Sequence, residues 1–116
     1  MKSQSTKRPK VFETIGYGRI VYRFDIAEKE IPATEEKEAS IIFEFSEVYI
    51  AESDDRDALT KAVIADYCSP ERELKMINES LATGKFKPTE EYEVYQAERT
   101  RRIAMAKKDW EDHRYA

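Results

Sequence analysis

Residues 67–85 read YCSPERELKMINESLATGK and mark the point where one predicted helix ends and the next begins. A serine can cap the free amides at the start of a helix, and a proline in the first helical position loses no hydrogen bond, so Ser69 and Pro70 indicate a helix start. Apolar residues then recur every three or four positions, and Gly84 suits the residue that follows a helix. This stretch predicts a helix over residues 70–83.

The chain on either side of this stretch also predicts helices. Serine and aspartate at residues 53–55 are helix-capping candidates, and apolar residues recur at helical spacing up to Tyr67, which predicts a helix over residues 55–68. Pro88 and the acidic residues after it predict a third helix over residues 90–112, which would be roughly 34 Å long at 1.5 Å per residue. This helix has few apolar residues, so it either packs through a narrow stripe or projects toward a partner.

The first half of the chain has the periodicity of β-strands. Residues 19–27 alternate apolar and polar side chains, and residues 40–51 are rich in Ile, Phe, Val and Tyr. A shorter run over residues 11–15 comes first and is joined to the next by a glycine-containing turn at 16–18. The acidic residues 28–40 are expected to form a long hairpin loop. We therefore predict an α+β fold in which a three-stranded antiparallel meander precedes three helices.

The third predicted strand changes phase along its length. Phe43 and Phe45 fall on one face of an ideal strand, whereas Val48 and Ile50 fall on the other face. Because one extra residue or a local twist can produce such a change of phase, we expect a β-bulge or a twist near residues 46–47.

Length and composition predict one domain preceded by a basic tail. The chain has 116 residues, of which 41% are hydrophobic and 38% are charged, and it contains only three glycines and four prolines. Residues 1–10 hold four basic side chains and no acidic one, and we expect a flexible tail there, followed by a single domain over residues 11–116. No apolar run approaches the roughly 20 residues of a membrane span. The basic N-terminus is not followed by the apolar segment of a secretory signal, so we do not expect one. With a single cysteine, an internal disulfide is excluded, and we expect a cytoplasmic protein.

The residue types argue against a catalytic, metal or cofactor site. Cys68 lies just before a helix, where a thiol can be activated, but a nucleophile needs a base, and the only histidine is His113 near the far terminus. We interpret Cys68 as a buried joint between two helices. One histidine and one cysteine cannot form a zinc site, and the aspartates within residues 54–57 lack the other parts of a calcium loop. We predict no enzymatic activity, no metal, no cofactor and no small-molecule substrate.

Charge is distributed unevenly, which favours an interaction function. Residues 25–57 contain twelve acidic and three basic side chains, whereas residues 99–108 contain five basic side chains and no acidic one. In a homodimer, a two-fold axis could lay the acidic strand region of one copy against the basic helix of the other. We predict a non-enzymatic structural or assembly protein whose partner is a protein, which could be a second copy. The predicted contact surface comprises Tyr92, Tyr95, Arg99, Arg101, Arg102, Ile103 and Trp110.

Nucleic acid is the alternative partner. Arginine, lysine and aromatic side chains in and around residues 99–108 are of the types that contact phosphates and stack on bases. The net charge of −4 and the spread of the basic residues over more than one helix face make this alternative less favoured. Ion pairs with acidic residues of the same helix are a simpler account of these arginines.

Three stretches of the helical half carry a family resemblance: YCSPE at 67–71, ELKMIN at 73–78 and EYEVYQAER at 91–99. In these stretches the chain resembles small accessory proteins encoded in phage and prophage genomes, and the resemblance does not include the β-rich half. It implies an accessory protein associated with a phage or another mobile element, from a structural or tail region, which would be virion-associated if phage-derived. It implies no catalytic residue.

Overall fold

The computed structural model of the protein describes residues 2–82 and 84–114, and these form four strands followed by three helices. The chain divides into two compact units, Met1–Ser53 and Asp54–Ala116. The strands are β1 (Lys2–Ser5), β2 (Phe12–Gly16), β3 (Arg19–Ile31) and β4 (Ser40–Ala51), and the helices are α1 (Arg56–Tyr67), α2 (Pro70–Ser80) and α3 (Glu90–Arg114). The predicted α+β class is confirmed. Within the described residues, none of the helices is long and apolar enough to cross a membrane.

All four strands form one antiparallel sheet in the order β1-β4-β3-β2. The predicted meander of β2, β3 and β4 is present, but the predicted number of three strands was wrong. The additional strand, β1, pairs with β4 so that Lys2 lies opposite Ser46. The sequence of β1 is KSQS, and because it contains no apolar side chain, no hydrophobic alternation marks it as a strand.

The element boundaries differ from the predicted ones mainly in β3. This strand continues to Ile31, so the predicted loop over residues 28–40 shortens to residues 32–39. The three helices begin and end within a few residues of the predicted positions. Residues 1, 83, 115 and 116, which fall in the predicted tail, second helix and single domain, lie outside the described residues. The flexible tail and the single domain stay predictions.

The hairpin of β3 and β4 contains a β-bulge in β3. Phe24 pairs with Ser46 and Ala27 pairs with Glu44, so two residues of β3 lie opposite one residue of β4. The first of the two, Asp25, has a φ of +52°. A bulge of this kind bends its strand and increases the local twist.

Of the bulge or twist predicted near residues 46–47 of β4, the bulge was wrong in position, because it lies in β3. The pairing of Ser46–Ala51 with β3 is continuous, and Phe45 and Val48 lie on opposite faces of β4, where both are buried. Because both faces of the sheet carry buried apolar side chains here, the hydrophobic pattern changes phase without an extra residue in β4.

Most buried side chains of the sheet lie on one face. Tyr22 is fully buried, and its ring centroid lies 4.8 Å from that of Phe12 and 5.3 Å from that of Phe24. Val48 pairs with Tyr22 across the β3–β4 ladder and is also buried. Stacked rings and cross-strand pairs of this type stabilise a sheet and fix its register.

Candidate functional site

Helices α1 and α2 meet at Cys68, which confirms the predicted buried joint. The amide of Cys68 donates a 2.9 Å hydrogen bond to the carbonyl oxygen of Ile64, and the thiol-bearing residue is only 5% exposed. The hydroxyl of Ser69 accepts a hydrogen bond from the Arg72 amide, as expected for the cap of α2. Burial raises the pKa of the Cys68 thiol, although nearby Arg72 partly opposes this. The thiol therefore has less nucleophilic character than a free cysteine.

Helix α3 packs along the other two helices. It contacts α1 and α2, and its buried residues Tyr95, Arg102 and Ala106 recur at helical spacing. Of the two possibilities that the sequence left open, packing and projection, the structure thus shows packing for this stripe of α3.

A buried arginine forms the polar contact between α3 and α1. Arg102 Nη1 donates a 2.8 Å hydrogen bond to the carbonyl oxygen of Val63, and its Nε donates a 2.9 Å bond to Glu98. Asp66 lies 3.6 Å from the guanidinium, which also sits 5.1 Å from the ring centroid of Tyr67. Cations at this distance from a ring face are attracted to it. The guanidinium of Arg102 therefore makes its contacts inside the helical unit.

Glu98 binds two neighbouring arginines. Its carboxylate accepts hydrogen bonds of 2.7 and 3.1 Å from Arg101 and one from Arg102. Hydrogen bonds from Arg101 lower the pKa of Glu98 to about 2, with burial opposing and Arg102 adding to the effect. This cluster is the ion pairing within one helix that the sequence suggested for these arginines.

Tyr95 is buried among aromatic and acidic groups of the helical unit. Its hydroxyl donates a 2.6 Å hydrogen bond to Glu73 of α2, and its ring lies parallel to that of Tyr67 with centroids 6.3 Å apart. The ring of Tyr92 lies 6.2 Å away on the same helix. Burial and then the bond to Glu73 raise the pKa of Tyr95, so the phenol stays protonated.

The seven residues predicted as a contact surface do not share one environment. Tyr95 and Arg102 are buried, and Arg101 is exposed. The four others are partly buried: Tyr92, Arg99, Ile103 and Trp110. The prediction selected aromatic and basic residue types, but which face of a helix is covered depends on its packing.

The exposed face of α3 presents a different set of residues, which we term the exposed stripe. Its members are separated alternately by four and three positions, the spacing of a heptad repeat. Val94 is the large apolar residue in it and is 58% exposed. The exposed stripe comprises Glu90, Val94, Ala97, Arg101, Ala104, Lys108 and Glu111. The spacing is present in the sequence, but Ala97 and Ala104 are too weakly apolar to indicate a helix face.

Comparison with known proteins adds no relative. No protein-family model, curated protein or solved structure matches the chain. The resemblance to proteins of phage and prophage genomes therefore stays a prediction from sequence. Among the described residues, no group of three or more histidine, cysteine, aspartate or glutamate side chains is arranged to hold a metal ion.

Proposed function

We propose that the protein is a non-enzymatic assembly protein that forms a homodimer through the exposed stripe of α3. The observation that carries the proposal is the order of charges along this face. On this face Glu90 lies at the start of α3 and Lys108 lies eighteen residues later, and Val94, Ala97, Arg101 and Ala104 lie between them. Glu111 follows Lys108 at the end of the stripe. A face of this kind is complementary to a second copy of itself when the two helices run antiparallel.

A two-fold axis passing near residue 99 brings the opposite charges together. In this arrangement Glu90 faces Lys108 of the second copy, and Val94 faces Ala104. The flanking residues Glu93 and Lys107 are offset by two residues across this axis, about 3 Å along the helix, which their long side chains can span. Because the axis is two-fold, each of these contacts occurs twice. In a parallel pair, by contrast, each glutamate would face its own copy, and like charges would repel.

The charged residues of this arrangement are free to pair with another molecule. Glu90, Glu93, Lys107 and Lys108 are all exposed, and within residues 2–82 and 84–114 none of them forms a salt bridge. An exposed ion pair contributes only about 0.2–1 kcal/mol, so the four pairs supply orientation and part of the affinity. We therefore expect a dimer of modest affinity that weakens as salt is added.

This surface differs from the one predicted from sequence, which set the acidic strand region against the basic helix. Arg101 belongs to both surfaces, whereas Tyr95 and Arg102 are buried and are not part of the new one. An origin in a phage or another mobile element is compatible with an assembly role and is supported by the sequence resemblance alone. A nucleic-acid ligand receives less support, because Arg102 is buried and Arg101 is bound to Glu98.

A charge-swap experiment tests the proposal. One double variant, Glu90→Lys with Glu93→Lys, and another, Lys107→Glu with Lys108→Glu, should each be monomeric when sedimentation velocity is measured at low salt. An equimolar mixture of the two should form a heterodimer, and the quadruple variant should recover the homodimer. Lys61→Glu with Lys87→Glu changes two exposed lysines outside α3 and serves as the control for net charge.

Two results would contradict the proposal. If the wild-type protein is monomeric at low salt and high concentration, the exposed stripe does not mediate assembly. If a dimer exists but neither double variant weakens it, the interface lies elsewhere.

A further inference from the structure

A cavity of about 410 Å³ opens beside the joint of α1 and α2. The buried side chains of Cys68, Met76 and Tyr95 line its inner part, and the more exposed side chains of Tyr67 and Val94 line its outer part. Binding sites for small molecules commonly occupy about 300–1,000 Å³ and have mainly apolar walls. The size and the lining of this cavity therefore fit a small ligand with an apolar body.

The charged groups of the cavity lie at its rim. Arg72 Nη2 lies 3.4 Å from Glu91 Oε1, and both side chains are more than half exposed. Glu90 also lines the cavity. Two carboxylates thus accompany one guanidinium, and because Arg72 is already paired with Glu91, the rim has an excess of negative charge.

The aromatic residues of the cavity also favour a cationic ligand. The rings of Tyr67 and Tyr95 are parallel within 3°, and both residues line the cavity. The face of an aromatic ring attracts a cation, and its surface packs against an apolar group. An anionic ligand would be attracted by Arg72 alone and would be repelled by Glu90 and Glu91.

We infer that this cavity binds a small organic amine with an aromatic or aliphatic body. The apolar body packs against Met76 and Val94, and the ammonium group lies at the rim, near Glu90 and Glu91. The sequence predicted no small-molecule substrate, because nothing in a linear pattern shows that these residues enclose a space. The inference concerns binding only. Glu90 and Val94 also belong to the exposed stripe, so a bound amine and the second copy of the proposed dimer would compete for them, and ligand binding is measured at a protein concentration at which the protein is monomeric.

Methionine methyl groups provide a direct measurement. In the protein labelled with ¹³C at the methionine methyls, Met76 reports on the cavity, and Met105, on α3 outside the cavity lining, is the internal control. Phenethylamine should shift the Met76 signal saturably and leave Met105 unchanged. Phenethyl alcohol, which lacks the charge, should bind about tenfold more weakly, a difference of about 1.4 kcal/mol. The anion 3-phenylpropionate should bind most weakly.

A matched pair of variants identifies the carboxylate. Glu91→Gln should weaken phenethylamine binding about tenfold and leave the binding of phenethyl alcohol unchanged. Glu71→Gln removes an exposed carboxylate from the first turn of α2, outside the cavity lining. It should leave the binding of both ligands unchanged. The inference is overturned if phenethylamine gives no saturable shift of Met76. It is also overturned if the amine and 3-phenylpropionate bind equally well, or if Glu91→Gln has no effect on the amine.

Discussion

Arg102 of α3 donates a hydrogen bond of 2.8 Å to the main-chain carbonyl oxygen of Val63 in α1. Val63 is fully buried and Arg102 is 8% exposed, so the bond lies in the interior of the helical unit. A buried guanidinium is stable only when its donors are satisfied and its charge is balanced, and Glu98 supplies the charge. The contact links two helices that are distant in sequence.

Replacing Arg102 should destabilise the protein far more than replacing its neighbour. Arg102→Met keeps much of the side-chain volume but removes the bonds to Val63 and Glu98, and we expect a loss of about 2–3 kcal/mol in the free energy of unfolding. Arg101→Met removes an exposed ion pair with the same glutamate and should cost less than about 1 kcal/mol. Urea unfolding followed by circular dichroism measures both values. Similar losses in the two variants would show that the buried bond contributes little.

Stability should fall in acid partly because of Glu98. Its pKa in the folded protein is about 2, below the value of about 4.3 expected for an unfolded chain. The folded state therefore favours the carboxylate, and this stabilisation is complete above the unfolded value and is lost as pH falls from about 4.3 toward 2.

The variant Glu98→Gln should remove this contribution. Free energies of unfolding measured in urea at several pH values should then fall less steeply below pH 4.3 than in the wild type. Glu111→Gln, at an exposed position of the same helix, is the control. If Glu98→Gln retains the full wild-type slope, other carboxyl groups cause the acid sensitivity.

The helices could be predicted because their ends carry local signals. Ser69 and Pro70 mark the start of α2 whatever surrounds them, since a cap acts on amides within its own turn. The burial of Arg102 could not be predicted in this way. Its partner Glu98 is visible four residues earlier, but the carbonyl of Val63 approaches it only through packing. A contact surface chosen by residue type therefore included an interior residue.

The strands show the same limit. The alternating residues of β3 predict a strand from their own pattern, whereas β1 becomes a strand through its pairing with β4. In β4, burial on both faces changed the phase of the pattern, for which the sequence predicted a bulge or a twist in this strand. The real bulge lies at Asp25, an aspartate with positive φ, for which the sequence gives no distinctive signal.

Replacing Tyr17, in the turn between β2 and β3, should stabilise the protein. Gly16, Tyr17 and Gly18 have φ values of +91°, +55° and +70°, and Tyr17 is fully exposed. Positive φ costs most L-residues about 1–2 kcal/mol, but asparagine tolerates it better. We expect Tyr17→Asn to raise the free energy of unfolding by about 0.5–1 kcal/mol. Tyr17→Phe keeps the strain and should have no effect, and a loss of stability in Tyr17→Asn would disprove the explanation.

Deletion of residues 2–6 should expose the edge of β4. Lys2–Ser5 pairs with residues 43–46 of β4, and the hydroxyl of Ser3 donates a 2.7 Å hydrogen bond to Glu47. Amides of residues 43–46 that point toward β1 should exchange with deuterium much faster in the deletion variant, because their acceptors are removed. Amides of Val48 and Ile50 lie beyond β1 and serve as the internal control. Unchanged exchange at residues 43–46 would mean that the segment behaves in solution as the flexible tail predicted from sequence.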